Sequence, residues 1–122
     1  MKRILICEDS ETLMTFLKKN LSSAGYGILT ADNGKDALTQ ARTNNPDLIL
    51  LDVMLPQIDG LKICRMLKFD AKYQHIPIVM FTARGEEEDQ KMGLEVGADA
   101  YIPKSLGPEK LLAKIKEFAA KE

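Results

Sequence analysis

The chain is short of the residues that build metal clusters and covalent staples, with two cysteines and one histidine in 122 residues. Cys7 and Cys64 are too few and too far apart for a disulfide scaffold. Both sit among aliphatic residues, so they read as buried free thiols of a reducing compartment. With His75 alone, there is no Cys/His set for zinc. Net charge is lacking too. The 17 Lys+Arg against 18 Asp+Glu leave no basic field to hold nucleic acid or an anionic membrane. No apolar run approaches the roughly 18 residues of a membrane span. Met1-Lys2-Arg3 could open a signal peptide, but the apolar run Ile4 to Cys7 stops at Glu8-Asp9, too soon for a signal core. The expectation is a cytoplasmic protein, or a piece of a larger cytoplasmic one. There is also no repeat, no low-complexity segment, and no Gly-rich phosphate loop after any apolar run.

What remains has the balance of an ordinary globular protein, 45% hydrophobic and 29% charged, at a length that suits one domain, residues 1–122. Short apolar runs alternate with helical patterns. The runs are Ile4–Cys7, Gly27–Ala31, Leu48–Leu51, Ile76–Phe81 and Ala100–Ile102. Several show no polar alternation, which suits strands covered on both faces of a parallel sheet. Between them, Leu13, Leu17 and Leu21 mark a helix stopped by Gly25. Ala37, Leu38 and Ala41 mark a second, ended before Pro46. Leu61, Cys64 and Leu67 mark a third, and Met92 with Val96 a fourth, closed by Gly97. Leu111, Leu112, Ile115, Phe118 and Ala119 stripe the last, with Pro108 in its first turn. Strict alternation predicts a three-layer, doubly wound α/β fold, (βα)5, with helices on both faces of a five-stranded parallel sheet. The flavodoxin-like order 2-1-3-4-5 is adopted as the known arrangement that suits five strands. It leaves Pro103 on an edge strand, where its missing N–H costs no ladder bond.

Ligands of such sheets bind beyond the carboxyl ends of the strands, where the strand order reverses, here between strands 1 and 3. Strand 1 ends in Glu8-Asp9, strand 3 in Asp52 and strand 4 in Thr82-Ala83, and Lys104 follows strand 5. Close carboxylates repel one another, and a hard cation resolves the conflict. Mg²⁺ or Mn²⁺, with oxygen ligands and open positions for water, fits this donor set. With the charge neutralised, an ionised carboxylate can attack phosphorus without a general base. Asp52, closing the central strand, is the best nucleophile, with Lys104 as a positive point charge and Thr82 as a hydroxyl. Asp59-Gly60 reads as a turn and helix start, His75 as a solvated loop residue, and Glu86-Glu87-Glu88-Asp89 as a solvated first turn.

Over nearly its whole length the sequence resembles the receiver domain of two-component response regulators. The matching pieces are I-L-I-C-E-D at 4–9, D-L-I-L-L-D-V-M-L-P-Q-I-D-G at 47–60, P-I-V-M-F-T-A at 77–83, G-A-D-A-Y-I at 97–102, and Lys104. The resemblance implies that Asp52 is the phosphoacceptor and that Glu8, Asp9, Asp52 and the Met54 backbone carbonyl hold Mg²⁺. It implies that Thr82 and Lys104 contact the phosphoryl group. Tyr101 would turn inward as Thr82 moves, remodelling the face of the fourth helix, fifth strand and fifth helix. The donor would be a phosphohistidine on a sensor kinase or phosphotransfer protein, or an acyl phosphate. The domain would bind no nucleic acid directly, and would be a monomer or a dimer formed on phosphorylation. It would catalyse only its own phosphorylation and dephosphorylation. Met54 and Arg84, beside the path of the attacking water, predict slow loss of the phosphoryl group.

Two positions depart from the family. Glu8 stands where Asp is more usual, and Ser105 follows Lys104 where Pro in a cis bond is usual. Either the Lys104–Ser105 bond is a strained cis bond, or it is trans and aims Lys104 differently. Two rival readings are a docking module that no longer uses phosphate and a Mg²⁺-dependent phosphohydrolase. The intact acids and lysine oppose the first. Met54, where the second needs an acid, opposes the other. With its fifth helix reaching the last residues, the chain is expected to be a free-standing shuttle or the receiver of a longer regulator.

Overall fold

The structure is a computed structural model that describes residues 2–83, 91, 92 and 94–120, with Thr82 described by its backbone. Five parallel strands, β1 (Arg3–Cys7), β2 (Gly27–Ala31), β3 (Leu48–Asp52), β4 (Ile78–Thr82) and β5 (Ala100–Pro103), form one sheet in the order β2-β1-β3-β4-β5. The helices are α1 (Glu11–Ser23), α2 (Gly34–Asn44), α3 (Gly60–Lys68) and α4 (Pro108–Ala120), with a short 3₁₀ turn at Lys104–Leu106. The helix expected around Met92 and Val96 lies in part on residues 84–90 and 93, outside the described residues. Its described portion is helical at 91–92 and 94–95, and it closes where Gly97, at φ 97°, donates to the Leu94 carbonyl.

The starts of α1, α2, α3 and α4 each have a local cause. The side chains of Ser10, Asn33 and Asp59 accept from the amides of Leu13, Asp36 and Lys62, satisfying donors that the first helical turn leaves unpaired. Pro108 opens α4, where a missing N–H costs nothing.

Alternation along the strands sorts the core into two layers. Leu5, Cys7, Ile49, Leu51, Ile78 and Met80 pack with Ala37, Leu38 and Ala41 of α2 and with Ile63, Cys64 and Leu67 of α3. Ile4, Ile6, Leu48, Leu50, Val79 and Phe81 pack on the other side, with Leu17 and Leu21 of α1 and with Leu111, Ile115 and Ala119 of α4. All five residues of β3 are buried, as the unalternating run predicts. That central strand is the rail on which Asp52 is carried to the sheet's carboxyl edge.

Four strands differ in their bounds from the apolar runs: β1 starts one residue early, at Arg3, and β3, β4 and β5 each take in one residue more at the carboxyl end. β4 begins at Ile78 because Pro77 offers only its carbonyl, which accepts from the Ile49 amide. Asp52 and Pro103 are the last ladder residues of their strands, with Pro103 opposite Thr82. At the sheet's far end, the Lys68 ammonium lies 2.7 Å from Asp99 Oδ2 and donates to the Ile76 carbonyl at 2.7 Å. Asp99 Oδ2 also accepts from the Ile78 amide at 2.8 Å, so the last turn of α3 is latched to the start of β4.

Candidate functional site

The carboxyl ends of β1 and β3 lie side by side, with Cys7 paired to Leu51, so the residues that follow must meet. Glu8 directly follows β1, and its amide still donates to Ala31 at the end of β2 at 3.0 Å. Its Oε2 accepts from the Ser10 amide at 2.7 Å, and its Oε1 lies 2.5 Å from the Lys104 ammonium. Asp52 is held in the same two-sided way. Oδ1 accepts from the Met54 amide at 3.1 Å and Oδ2 from Lys104 at 3.1 Å. Both acids are removed from water, at 1% and 3% exposure, while Asp9 is exposed. Glu8, Asp9 and Asp52 each offer an oxygen within 4.8 Å of the others.

Lys104 therefore reaches two of the acids. It does so from a trans peptide, since no described bond is cis, and this decides between the alternatives that Ser105 left open. Its ammonium also lies 5.3 Å from the centre of the Phe81 ring, which floors the site.

The electrostatics follow from burial. Removal from water raises the Glu8 carboxyl above its ordinary range. The Asp52 charge adds to that, against the partial relief of Lys104 and the Ser10 amide. Burial works against the Lys104 charge as well, but the close Glu8 carboxylate and the Asp52 carboxylate outweigh it and hold the ammonium above its ordinary range. Lys104 is thus firmly cationic, and burial opposes the charge on Glu8. Glu8 Oε1 is fully buried, and beside the lysine's charge it accepts no well-angled hydrogen bond. A donor set of hard oxygens with one under-satisfied member fits Mg²⁺ or Mn²⁺ and would suit a soft metal poorly.

The remaining candidates are placed as follows. Met54 is exposed and borders a shallow hollow together with Asp9 and Asp59. Thr82 closes β4; its side chain, Arg84 and the acidic run 86–89 lie outside the described residues. Tyr101 is half-buried in β5 and lines a hollow with Leu106, Lys114 and Phe118. His75 is exposed, Asp59 caps α3, and Cys7 and Cys64 are free and buried.

Sequence reasoning passed over Gly60, taking it as turn chemistry alone. Its amide donates to the Val53 carbonyl at 2.8 Å, and a Cβ there would lie 2.3 Å from the Asp52 carbonyl oxygen. Only glycine lets the start of α3 press against the base of the site. The Gly at the end of D-V-M-L-P-Q-I-D-G was the available signal.

Residues 4–116 match the family model described as the response regulator receiver domain. The chain is 44% identical over 115 residues to the alkaline phosphatase synthesis transcriptional regulatory protein PhoP of Bacillus subtilis, covering 94% of this chain and 47% of that one. It thus spans about half the length of that curated relative. Among solved structures, the chemotaxis response regulator CheY4 of Vibrio cholerae superposes with a TM-score of 0.87 at 30% identity, over 96% of this chain and 98% of that one. The Mn²⁺-bound form of the response regulator Rcp1 gives a TM-score of 0.84 at 25% identity, over 96% and 91%.

Proposed function

This chain belongs to the response regulator receiver domain family, whose members are signalling switches, and from that membership we propose that its switch is thrown by phosphorylation of Asp52. The observation that carries the proposal is the bridge of Lys104 between Glu8 Oε1 and Asp52 Oδ2, at 2.5 and 3.1 Å. It puts a fixed positive charge beside a buried carboxylate that has no proton to lose.

A carboxylate oxygen of Asp52 attacks the phosphorus of a phosphohistidine. The new O–P bond forms as the P–N bond breaks, and the imidazole departs with the bonding pair. Glu8, Asp9, Asp52 and the Met54 carbonyl would hold Mg²⁺ or Mn²⁺, which when bound supplies the charge neutralisation that phosphoryl transfer demands. Lys104 pairs with a phosphoryl oxygen, and Thr82 donates to another. Phe81 keeps the lysine stem over the site. The movement of Thr82 draws Tyr101 inward and alters the face shared by the helix around Met92–Val96, β5 and α4. Taking that face from 1:99 to 99:1 needs about 5.5 kcal/mol of differential interaction, within reach of a few charge-assisted hydrogen bonds and one reburied ring. The donor is a sensor histidine kinase or a histidine phosphotransfer protein. The chain turns over nothing but its own phosphoryl group.

A docking module independent of phosphate would have no use for two buried acids held on a lysine, and a phosphohydrolase would want an acid where Met54 stands. The test is intact-mass spectrometry after incubation with acetyl phosphate and Mg²⁺. One phosphoryl adduct is expected on the wild type and none on Asp52→Asn. No adduct on the wild type, or an undiminished one on the variant, refutes the assignment.

A further inference from the structure

The loop from Val53 to Asp59 carries Met54, whose carbonyl is assigned above to the cation, so what fixes this loop fixes that ligand. The loop is bent around Gln57. The Ile58 amide donates to the Pro56 carbonyl at 3.0 Å, closing a three-residue turn with Gln57 at φ 74°. Positive φ at the centre of such a turn is its rare, strained form, and Gln57 is exposed, so no burial of its side chain offsets the strain.

The offset comes from α2. Gly34, its first residue, donates its amide to the same Pro56 carbonyl at 2.8 Å, a donor that a helix start would otherwise leave unpaired. The approach is so close that a Cβ on Gly34 would lie 2.1 Å from the Ile58 carbonyl oxygen and 2.7 Å from the Ile58 amide nitrogen. Any side chain at 34 must push the loop away.

We propose that Gly34 and Gln57 are positioning residues: together they clamp the β3–α3 loop so that the Met54 backbone is preset, and they thereby set the affinity of the acid site for a divalent cation that neither residue touches. The proposal rests on the reading of Glu8, Asp9, Asp52 and Met54 as the cation site. It adds a dependence on a helix corner outside that site.

Mn²⁺ binding to the full 122-residue chain, followed by the electron paramagnetic resonance signal of the free ion, is the readout, with no phosphorylation step. Gly34→Ala is expected to weaken binding at least about tenfold, the scale seen when outer partners of a ligand are lost. Gln57→Val, a β-branched residue forced to positive φ, is expected to do likewise. Gln57→Gly, which adopts that φ freely, is expected to bind within about twofold of wild type. Gly97→Ala controls for general destabilisation, because its φ of 97° is equally hostile but lies beside Lys68 at the far end of the sheet. It is expected to lower the melting temperature and leave Mn²⁺ binding unchanged. If Gly34→Ala does not fold, the exposed Gln57 pair decides alone. The clamp is refuted if wild type binds Mn²⁺ and Gln57→Val binds as tightly, or if Gln57→Gly loses as much as Gln57→Val. A wild type that binds no Mn²⁺ refutes the cation site itself, and the clamp with it.

Discussion

Replacing Lys104 by methionine keeps the stem and removes the charge that Glu8 and Asp52 share. Their side chains are 0% and 4% exposed, so the metal-free variant must either bury two uncompensated carboxylates or protonate one. Protonation sets the ceiling. The Glu8 carboxyl has an ordinary value of 4.5, and each pH unit above that costs about 1.4 kcal/mol. The loss is therefore capped at about 3 kcal/mol at pH 7 and under about 1 kcal/mol at pH 5. The sign follows from burial, which already raises Glu8 in the fold. A carboxyl that is raised on folding favours the folded state at low pH and penalises it as pH rises. For a chain of this size the expected fall in Tm is about 10 °C at pH 7, shrinking to a few degrees at pH 5. Circular dichroism melts of wild type and Lys104→Met in chelator at both pH values measure it. Mg²⁺ should then raise the variant's Tm more than the wild type's, because ammonium and cation compete for the same oxygens. A penalty that is equal at both pH values, or a variant as stable as wild type at pH 7, refutes the account of the site as two buried acids neutralised by one lysine.

Other outcomes follow from geometry already described. Asp99→Ala unlatches Lys68 and leaves the Ile78 amide unpaired; a loss of about 1.5–3 kcal/mol in urea melts is expected, with Mn²⁺ binding unchanged. Burial pushes the Cys64 thiol up to about 12, with Asp99 adding to the rise against the Lys68 charge, and pushes Cys7 higher still. A chromogenic disulfide reagent at pH 8 should therefore find no reactive thiol in the native chain and both thiols in denaturant. Met54 offers no polar group to orient an attacking water, so the phosphoryl group should outlast seconds. Met54→Asn should shorten its lifetime in a chase monitored by intact mass.

The fold is legible because its strands are predominantly apolar and its helices are amphipathic. Leu48–Leu51, with no polar alternation, suits a strand covered on both faces, and an acid ending such a strand is costly without a partner. The residues that follow each strand bring Asp52, Glu8 and Lys104 to one rim of the sheet. Lys104 itself was half legible. Its position after β5 was plain, but its reach depended on the Lys104–Ser105 peptide, whose geometry local sequence leaves open. The strand order was adopted from known folds, because the spacing of the runs allows other orders. What could not be read were contacts between corners remote in sequence. Gly34 against Ile58 and Gly60 against Asp52 are close approaches of backbone to backbone. They leave no trace in hydrophobic periodicity, and a glycine at a helix start already has a bland explanation. Ser10 was hidden for a similar reason, since its amide serves Glu8 while its hydroxyl caps α1.

β5 ends the sheet on one side, and only four residues long, it finishes in a proline opposite Thr82. A neighbouring chain that tried to extend the sheet there would find few amides in line, with none at the end nearest the acids. Crowded copies are thus denied a zipper of main-chain bonds. Contact at that flank falls instead to side chains, among the described residues Tyr101, Lys114 and Phe118 around the hollow.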